Sequence, residues 1–99
     1  MPDAGPTLCV LLWAHPGQVD PMADYEDRVL PLLGEHDGTL VQRLRAHAGS
    51  DGPDEIQTIA FASRAGFDSY LADPRRTALA DERDRVIART EIIPVDRVR

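Results

Sequence analysis

The stretch from Tyr25 to Arg45, YEDRVLPLLGEHDGTLVQRLR, joins an amphipathic helix to a strand through a charged turn that contains glycine. Apolar residues recur at three- and four-residue steps from Met22 to His36, which predicts a helix with one buried face. Pro31 lies inside this helix and removes a backbone donor, so we expect a kink or a short break between Asp27 and Pro31. Asp37-Gly38 suits a left-handed turn and ends the segment.

The pattern on either side of this stretch predicts four strands and three helical segments in all. The strands are residues 7–14, 39–46, 55–62 and 91–98, the last with Pro94 as an edge or bulged strand. The helices begin at Asp20-Pro21, Ser63 and Thr77, and end near His36, Asp73-Pro74 and Ala88. The order β-α-β-β-α-β, with its second helical region in two parts, predicts a ferredoxin-like α+β sandwich. We expect one domain, residues 1–99, with residues 1–6 as a flexible leader.

The first strand, TLCVLLWA at Thr7–Ala14, is apolar on both of its faces. Helices cover only one face of the sheet in a ferredoxin-like sandwich, so the other face needs a cover of its own. A second copy of the chain would bury this face without requiring a different partner protein, and the sequence therefore predicts a homodimer.

Composition limits the classes of function. A net charge of -6 argues against a general nucleic-acid binder, because phosphate contacts need a basic surface. Cys9 is the single cysteine, so no disulfide or thiolate zinc cluster forms within one chain. The lack of a possible disulfide makes a cytoplasmic protein the default expectation. The apolar run at residues 8–14 is too short to cross a bilayer, which indicates no membrane segment. The three histidines lack metal-ligand spacing, and we expect neither a metal nor a cofactor.

Arg43, Arg45, His36 and Tyr25 are candidate site residues around the helix–strand junction. Arg43 and Arg45 share a face of their strand and could hold a carboxylate or an enolate, or they could pair with neighbouring acidic residues. His36 could act as general acid or base. Tyr25 could donate a hydrogen bond to a ligand oxygen. Packing in the helical stripe explains His36 and Tyr25 equally well.

Trp13 and His15 leave the first strand on the same side. Trp13 could stack on a flat organic ligand, or it could lie at the centre of the dimer interface, where aromatic residues are enriched. His15 is a second candidate for proton transfer.

The sequence resembles small uncharacterised dimeric α/β-barrel proteins. One matching pattern runs from the helix into the strand, at Tyr25, Val29, Pro31, Leu33, His36, Gly38 and Arg43. A second comprises Ala60-Phe61-Ala62-Ser63, Tyr70, Asp73-Pro74 and Arg83. The wider superfamily includes antibiotic-biosynthesis monooxygenases. This resemblance implies two sheets packed face to face, with a pocket between sheet and helices in each subunit. Where the family usually has His-Gly-Gly, this chain has His36-Asp37-Gly38, which adds a carboxylate.

Three functions are compatible with these patterns. The first is a dimeric protein that binds a small organic metabolite, anionic or not, without an assignable reaction. The alternative is a cofactor-independent monooxygenase or isomerase that uses His36 or His15 with Arg43. The third is a purely structural or regulatory dimer without a pocket. Whether the protein is an enzyme is left open by the sequence, because fold alone does not transfer chemistry.

Overall fold

In a computed structural model that describes residues 5–98, four strands form a single antiparallel sheet. The strands are β1 (Thr7–Ala14), β2 (Gly38–Arg45), β3 (Glu55–Phe61) and β4 (Ile87–Pro94), in the spatial order β2-β3-β1-β4. The helices are α1 (Val19–Val29), α2 (Arg64–Leu71), α3 (Pro74–Thr77) and α4 (Ala80–Val86), and a 3₁₀ segment, Leu30–His36, follows α1. This arrangement confirms the predicted ferredoxin-like α+β fold.

Alternation along the two central strands separates a helix-covered face of the sheet from an open face. Leu8, Val10 and Leu12 of β1 are buried and belong to one core cluster with α1 residues such as Met22 and Val29. The intervening β1 residues, Cys9, Leu11 and Trp13, are only partly buried and lie on the open face. The helix-covered face therefore holds the core of the chain.

The junction between α1 and β2 has the break that the sequence predicts. The α-helix ends at Val29, and the chain continues as a 3₁₀ segment with Pro31 in its first turn. A proline there has no N–H to donate to the preceding turn. Asp37 has a φ of 57°, and its N–H donates to Leu33 O, which ends the segment in the left-handed conformation.

Several predicted boundaries are wrong. Helix α1 begins at Val19 after Gln18, so Asp20 lies inside it. Thr77 ends α3 and does not cap α4, whose N-cap is Leu79. The last strand spans Ile87–Pro94 and not residues 91–98, because it follows directly after α4 without a loop. Pairing with β1 then extends along the whole of β4.

The register of β2 against β3 also departs from simple alternation. Leu40 pairs with Ile59, and Gln42 pairs with Thr58, so Val41 is an extra residue on β2. Such a bulge places Leu40 and Arg43 on the same face, whereas strict alternation predicts opposite faces. This face of the sheet is the one that the helices cover.

The predicted leader, residues 1–6, falls mostly on residues 1–4, which lie outside the described residues. Gly5 N–H donates to Ala62 O at 3.2 Å, and Phe61 N–H donates to Pro6 O at 3.0 Å. These last two leader residues are therefore held along the end of β3. Among residues 5–98, no helix has the length and apolar character needed to cross a membrane.

Candidate functional site

A cavity of about 90 Å³ lies between the helix-covered face and the helices. Apolar side chains from β1, β3, β4 and α2 make up most of its wall, and its polar lining consists of Glu26, Gln57, Tyr70, Arg76, Arg83 and Thr90. Leu71 and Ile92 also line it and are both more than 40% exposed, so they form its rim. The cavity is apolar with a few polar groups, which is typical of small-molecule sites.

Two arginine residues line this cavity. Arg76 stacks on the ring of Tyr70, with 4.5 Å between Cζ and the ring centroid, and one terminal nitrogen donates to Leu71 O at 3.4 Å. Its Nε is buried and has no hydrogen-bond partner among residues 5–98. Arg83 donates to Thr90 Oγ1 at 2.9 Å. Within the described part of the chain, neither arginine forms an ion pair.

A buried carboxyl group, Glu26, lines the same cavity. Its residue is 7% exposed, and Gln57 Nε2 donates to its Oε1 at 2.7 Å. The same amide nitrogen donates to Glu55 Oε2 at 2.7 Å. Burial raises the pKa of Glu26, and the charge of Glu55 adds to this, while the Gln57 hydrogen bond and Arg76 act in the opposite direction. The cavity thus contains one acidic and two basic groups.

The two tyrosines beside the cavity are held in the core. Burial raises the pKa of Tyr70 to about 12, and its hydroxyl donates to Val29 O at 3.3 Å. Tyr25, a predicted ligand-binding residue, is 1% exposed, and burial raises the pKa of its hydroxyl as well. It packs in the core cluster and does not belong to the cavity lining.

Arg43 and Arg45 line a separate outer hollow of about 260 Å³, together with Asp27 and Glu55. Arg43 donates to both oxygens of Glu55, at 2.8 and 3.2 Å, and to Asp27 Oδ1 at 2.5 Å. These hydrogen bonds raise the pKa of Arg43. Arg45 pairs with the exposed Asp20 at 3.3 Å. The structure brings the two arginines together, but acidic side chains already occupy the Arg43 guanidinium.

His36 lines neither of these cavities. Its Nδ1 lies 2.7 Å from Ser69 Oγ, and its Nε2 donates to Asp73 Oδ2 at 2.8 Å. Hydrogen bonds from Arg75, and then the one from His36, hold the pKa of Asp73 well below its usual range. Ser69 Oγ also donates to Gly66 O at 3.0 Å. The cluster ties the end of the 3₁₀ segment to α2 and α3.

Trp13 and His15 lie away from both cavities. Trp13 is on the open face, with the Arg89 guanidinium 4.4 Å from its ring centroid. The Nε2–H of His15 donates to Asp84 O at 3.1 Å. The six predicted site residues are therefore distributed over the core, the outer hollow, the His36 cluster and the C-terminal end of β1.

Sequence reasoning did not select Glu26, Gln57 or Arg76. The sequence does mark Glu26 as unusual, because it is a charged residue on the apolar face of a helix, four residues after Met22. Gln57 lies between Glu55 and Ile59 on the buried face of β3, and two-residue periodicity marks it as internal. Arg76 has no comparable signal. Arg83 belongs to the pattern that carries the family resemblance.

Comparisons with known proteins describe the fold. No protein-family model matches the chain, and no curated protein matches it. A NIPSNAP family protein with unknown function from Agrobacterium tumefaciens is 20% identical, with 94% of this chain and 87% of that chain covered and a TM-score of 0.73. A candidate antibiotic biosynthesis monooxygenase from Bacteroides thetaiotaomicron is 10% identical, with 94% and 89% covered and a TM-score of 0.71. A dimeric protein of unknown function and ferredoxin-like fold from Bacteroides fragilis is 8% identical, with 91% and 93% covered and a TM-score of 0.68. At these identities the likeness establishes that the chain has the ferredoxin-like fold of these proteins.

Proposed function

We propose that the protein binds a compact organic anion in the cavity between its sheet and its helices, and that it does so as a homodimer. The observation that carries the proposal is the buried Arg76 Nε, which has no acceptor within residues 5–98. A buried donor without a partner costs about 1–3 kcal/mol, and more for a charged group. A ligand carboxylate would give the Arg76 guanidinium an acceptor and a counter-charge.

The surroundings of Arg76 support an organic anion over an inorganic one. Apolar side chains form most of the wall, so a hydrocarbon portion of the ligand gains from burial there. Arg83 adds a second positive charge from another helix. The cavity of about 90 Å³ is smaller than the roughly 300–1,000 Å³ of pockets for drug-sized molecules. The ligand is therefore a small carboxylic acid or a related enolate.

The binding experiment compares each acid with its neutral amide, which keeps the shape and removes the charge. Butanoate, benzoate and phenylacetate are titrated calorimetrically against the wild type, Arg76→Gln and Arg83→Gln. The acids should bind more tightly than their amides, and each variant should lose about 10- to 100-fold in affinity for an acid, since hydrogen bonds to charged groups contribute about 1.5–3 kcal/mol. Arg85→Gln, an exposed residue on the same helix as Arg83, is the control and should bind as the wild type does. Equal binding of acids and amides, or no binding at millimolar acid, contradicts the proposal.

The open face supports the homodimer. Leu44 and Ile93 are 46% and 42% exposed, and they pair with Ile56 and Cys9 of the central strands on this face. Apolar side chains thus extend across all four strands, and a second copy would bury them. Light scattering should give a mass twice the 10.9 kDa of the chain for the wild type.

A charged substitution on the open face tests this interface. Leu11→Asp should give a monomer, because an unpaired carboxylate at the centre of an apolar interface is costly to desolvate. Ala65→Asp adds the same charge to an exposed position on α2 and should remain a dimer. A monomeric wild type at micromolar concentration would refute the homodimer.

The alternative, a cofactor-independent monooxygenase or isomerase that uses His36 or His15 with Arg43, has less support. Ser69 and Asp73 engage both ring nitrogens of His36, and Glu55 and Asp27 engage Arg43. A proton-transfer role would require these contacts to open.

A further inference from the structure

Glu26 is a buried carboxyl group in the same cavity as Arg76 and Arg83, and the binding of an anion by itself does not require it. We propose that Glu26 takes up a proton when an organic anion binds beside the two arginines, so that this residue couples ligand affinity to pH and supplies a hydrogen-bond donor to the ligand. This inference rests on the proposed anion site.

The hydrogen bonds of Glu26 explain why its protonation state depends on other charges in the cavity. Gln57 Nε2 donates to Glu26 Oε1 and to Glu55 Oε2, both at 2.7 Å, so one amide group bridges two carboxyl groups. Arg43 donates to both oxygens of Glu55, so this carboxyl group has a cationic partner. Glu26 has no such partner: no ion pair within residues 5–98 includes it.

The groups that face Glu26 come from every element packed around it. The cations are Arg76 on α3, Arg83 on α4 and Arg43 on β2. Glu55 on β3 is the neighbouring anion, and Tyr25 and Tyr70 are neutral hydroxyl groups. The cations favour an ionised Glu26, whereas burial and Glu55 favour the protonated acid. The balance between these effects is therefore sensitive to any further charge in the cavity.

A bound carboxylate changes this balance in one direction. It neutralises part of the positive potential of Arg76 and Arg83, and it places a second negative charge in the space that Glu26 lines. Both effects raise the pKa of Glu26, because a like charge disfavours the ionised form. By linkage, the anion then binds more tightly as the pH falls through the range in which the free protein is ionised at Glu26 and the complex is not.

Protonated Glu26 also contributes a hydrogen-bond donor to ligand recognition. A neutral carboxylic acid has one O–H donor, which an ionised carboxylate lacks. Protonated Glu26 could therefore share the oxygens of the ligand carboxylate with the guanidinium groups. The preferred ligand is a monocarboxylate whose two oxygens accept from an arginine on one side and from a carboxylic acid on the other.

Calorimetry of benzoate binding between pH 5 and 8, in pairs of buffers that differ in ionisation enthalpy, measures the protons taken up per anion bound. The wild type should take up close to one proton within part of this range, where its affinity should rise up to tenfold per unit fall in pH. Glu26→Gln keeps the shape of the side chain but cannot titrate, so it should bind benzoate with no proton uptake and with a flat pH dependence. Asp24→Asn, which removes an exposed acid from the same helix, should retain the uptake.

A second measurement keeps the inference testable if Glu26→Gln does not fold. Carbon-detected NMR titration of the glutamate carboxyl groups in the wild type should show a higher pKa for Glu26 with benzoate than without it. An unchanged pKa, or benzoate binding to the wild type without proton uptake, overturns the role of Glu26 and leaves the anion site standing. Unaltered benzoate binding by Arg76→Gln refutes the anion site, and with it this inference. The two failures are thus distinguishable.

Discussion

Replacing Arg43 with methionine should destabilise the fold severely, because it leaves a buried carboxylate without its counter-ion. The Glu55 side chain is 4% exposed, and Arg43 binds both of its oxygens. Methionine retains most of the aliphatic packing of the arginine side chain, so the substitution chiefly removes the charge and its hydrogen bonds. Arg45→Met is the matched control on the same strand, since its ion pair is with an Asp20 side chain that is 88% exposed.

The magnitude follows from burial. Removing one partner of a buried ion pair typically costs about 3–5 kcal/mol, whereas an exposed pair contributes about 0–1 kcal/mol. Gln57 continues to donate to Glu55, and the Arg43 side chain is itself 28% exposed, so water can reach the vacated position. We therefore expect about 3 kcal/mol for Arg43→Met. For a domain of this length, that corresponds to a fall in Tm of roughly 12–24 °C.

Urea denaturation followed by circular dichroism gives the free energy of unfolding for wild type, Arg43→Met and Arg45→Met. The double variant Arg43→Met/Glu55→Gln should be more stable than Arg43→Met alone, because it removes the unpaired charge from the protein interior. Losses of less than 1 kcal/mol for both single variants would refute the reasoning. So would a double variant that is as unstable as Arg43→Met, since the loss would then come from packing and not from charge.

Two further predictions concern the α2–α3 region. The pKa of Asp73 is lower in the folded protein than in the unfolded chain, so its contribution to stability is complete above about pH 4 and disappears as the pH falls below that value. Asp73→Asn should therefore be less stable than wild type at pH 7, with a difference that shrinks between about pH 4 and pH 2 in urea denaturation; a difference independent of pH would contradict this. A Cβ at Gly66 would lie 2.3 Å from His36 O, so Gly66→Ala should lose about 1–3 kcal/mol by overpacking although alanine favours helices. Gly34→Ala meets nothing within 4 Å and should have neutral or slightly increased stability, and equal Tm changes for the two glycine variants would contradict the steric explanation.

The fold was more predictable than the candidate site. Periodicity and helix breakers are properties of neighbouring residues, and they located β1, the break at Pro31 and the left-handed turn at Asp37. Boundaries failed where one element follows another without a loop, as between α4 and β4 at Ile87. The sequence also indicated two possible partners for Arg43, an anionic ligand or a neighbouring acidic side chain. The structure has Glu55 and Asp27 in that position.

The cavity depends on contacts that no local pattern contains. Its polar lining combines Glu26, Gln57, Arg76 and Arg83, which come from different helices and strands and meet only when the helices pack on the sheet. The same packing determines which arginines form ion pairs with acidic side chains.

The order of strands and helices, the apolar character of both faces of β1 and the turn after His36 can all be inferred from the sequence alone. These features follow from backbone geometry over a few residues, which the side chains of those residues control. Folding in three dimensions pairs Arg43 with acidic side chains at the sheet edge and leaves Arg76, a cavity-lining residue, with a buried Nε that has no partner among residues 5–98. The physical reason is that charge pairing and desolvation depend on distances through space, and a single bulge at Val41 changes which side chains share a face.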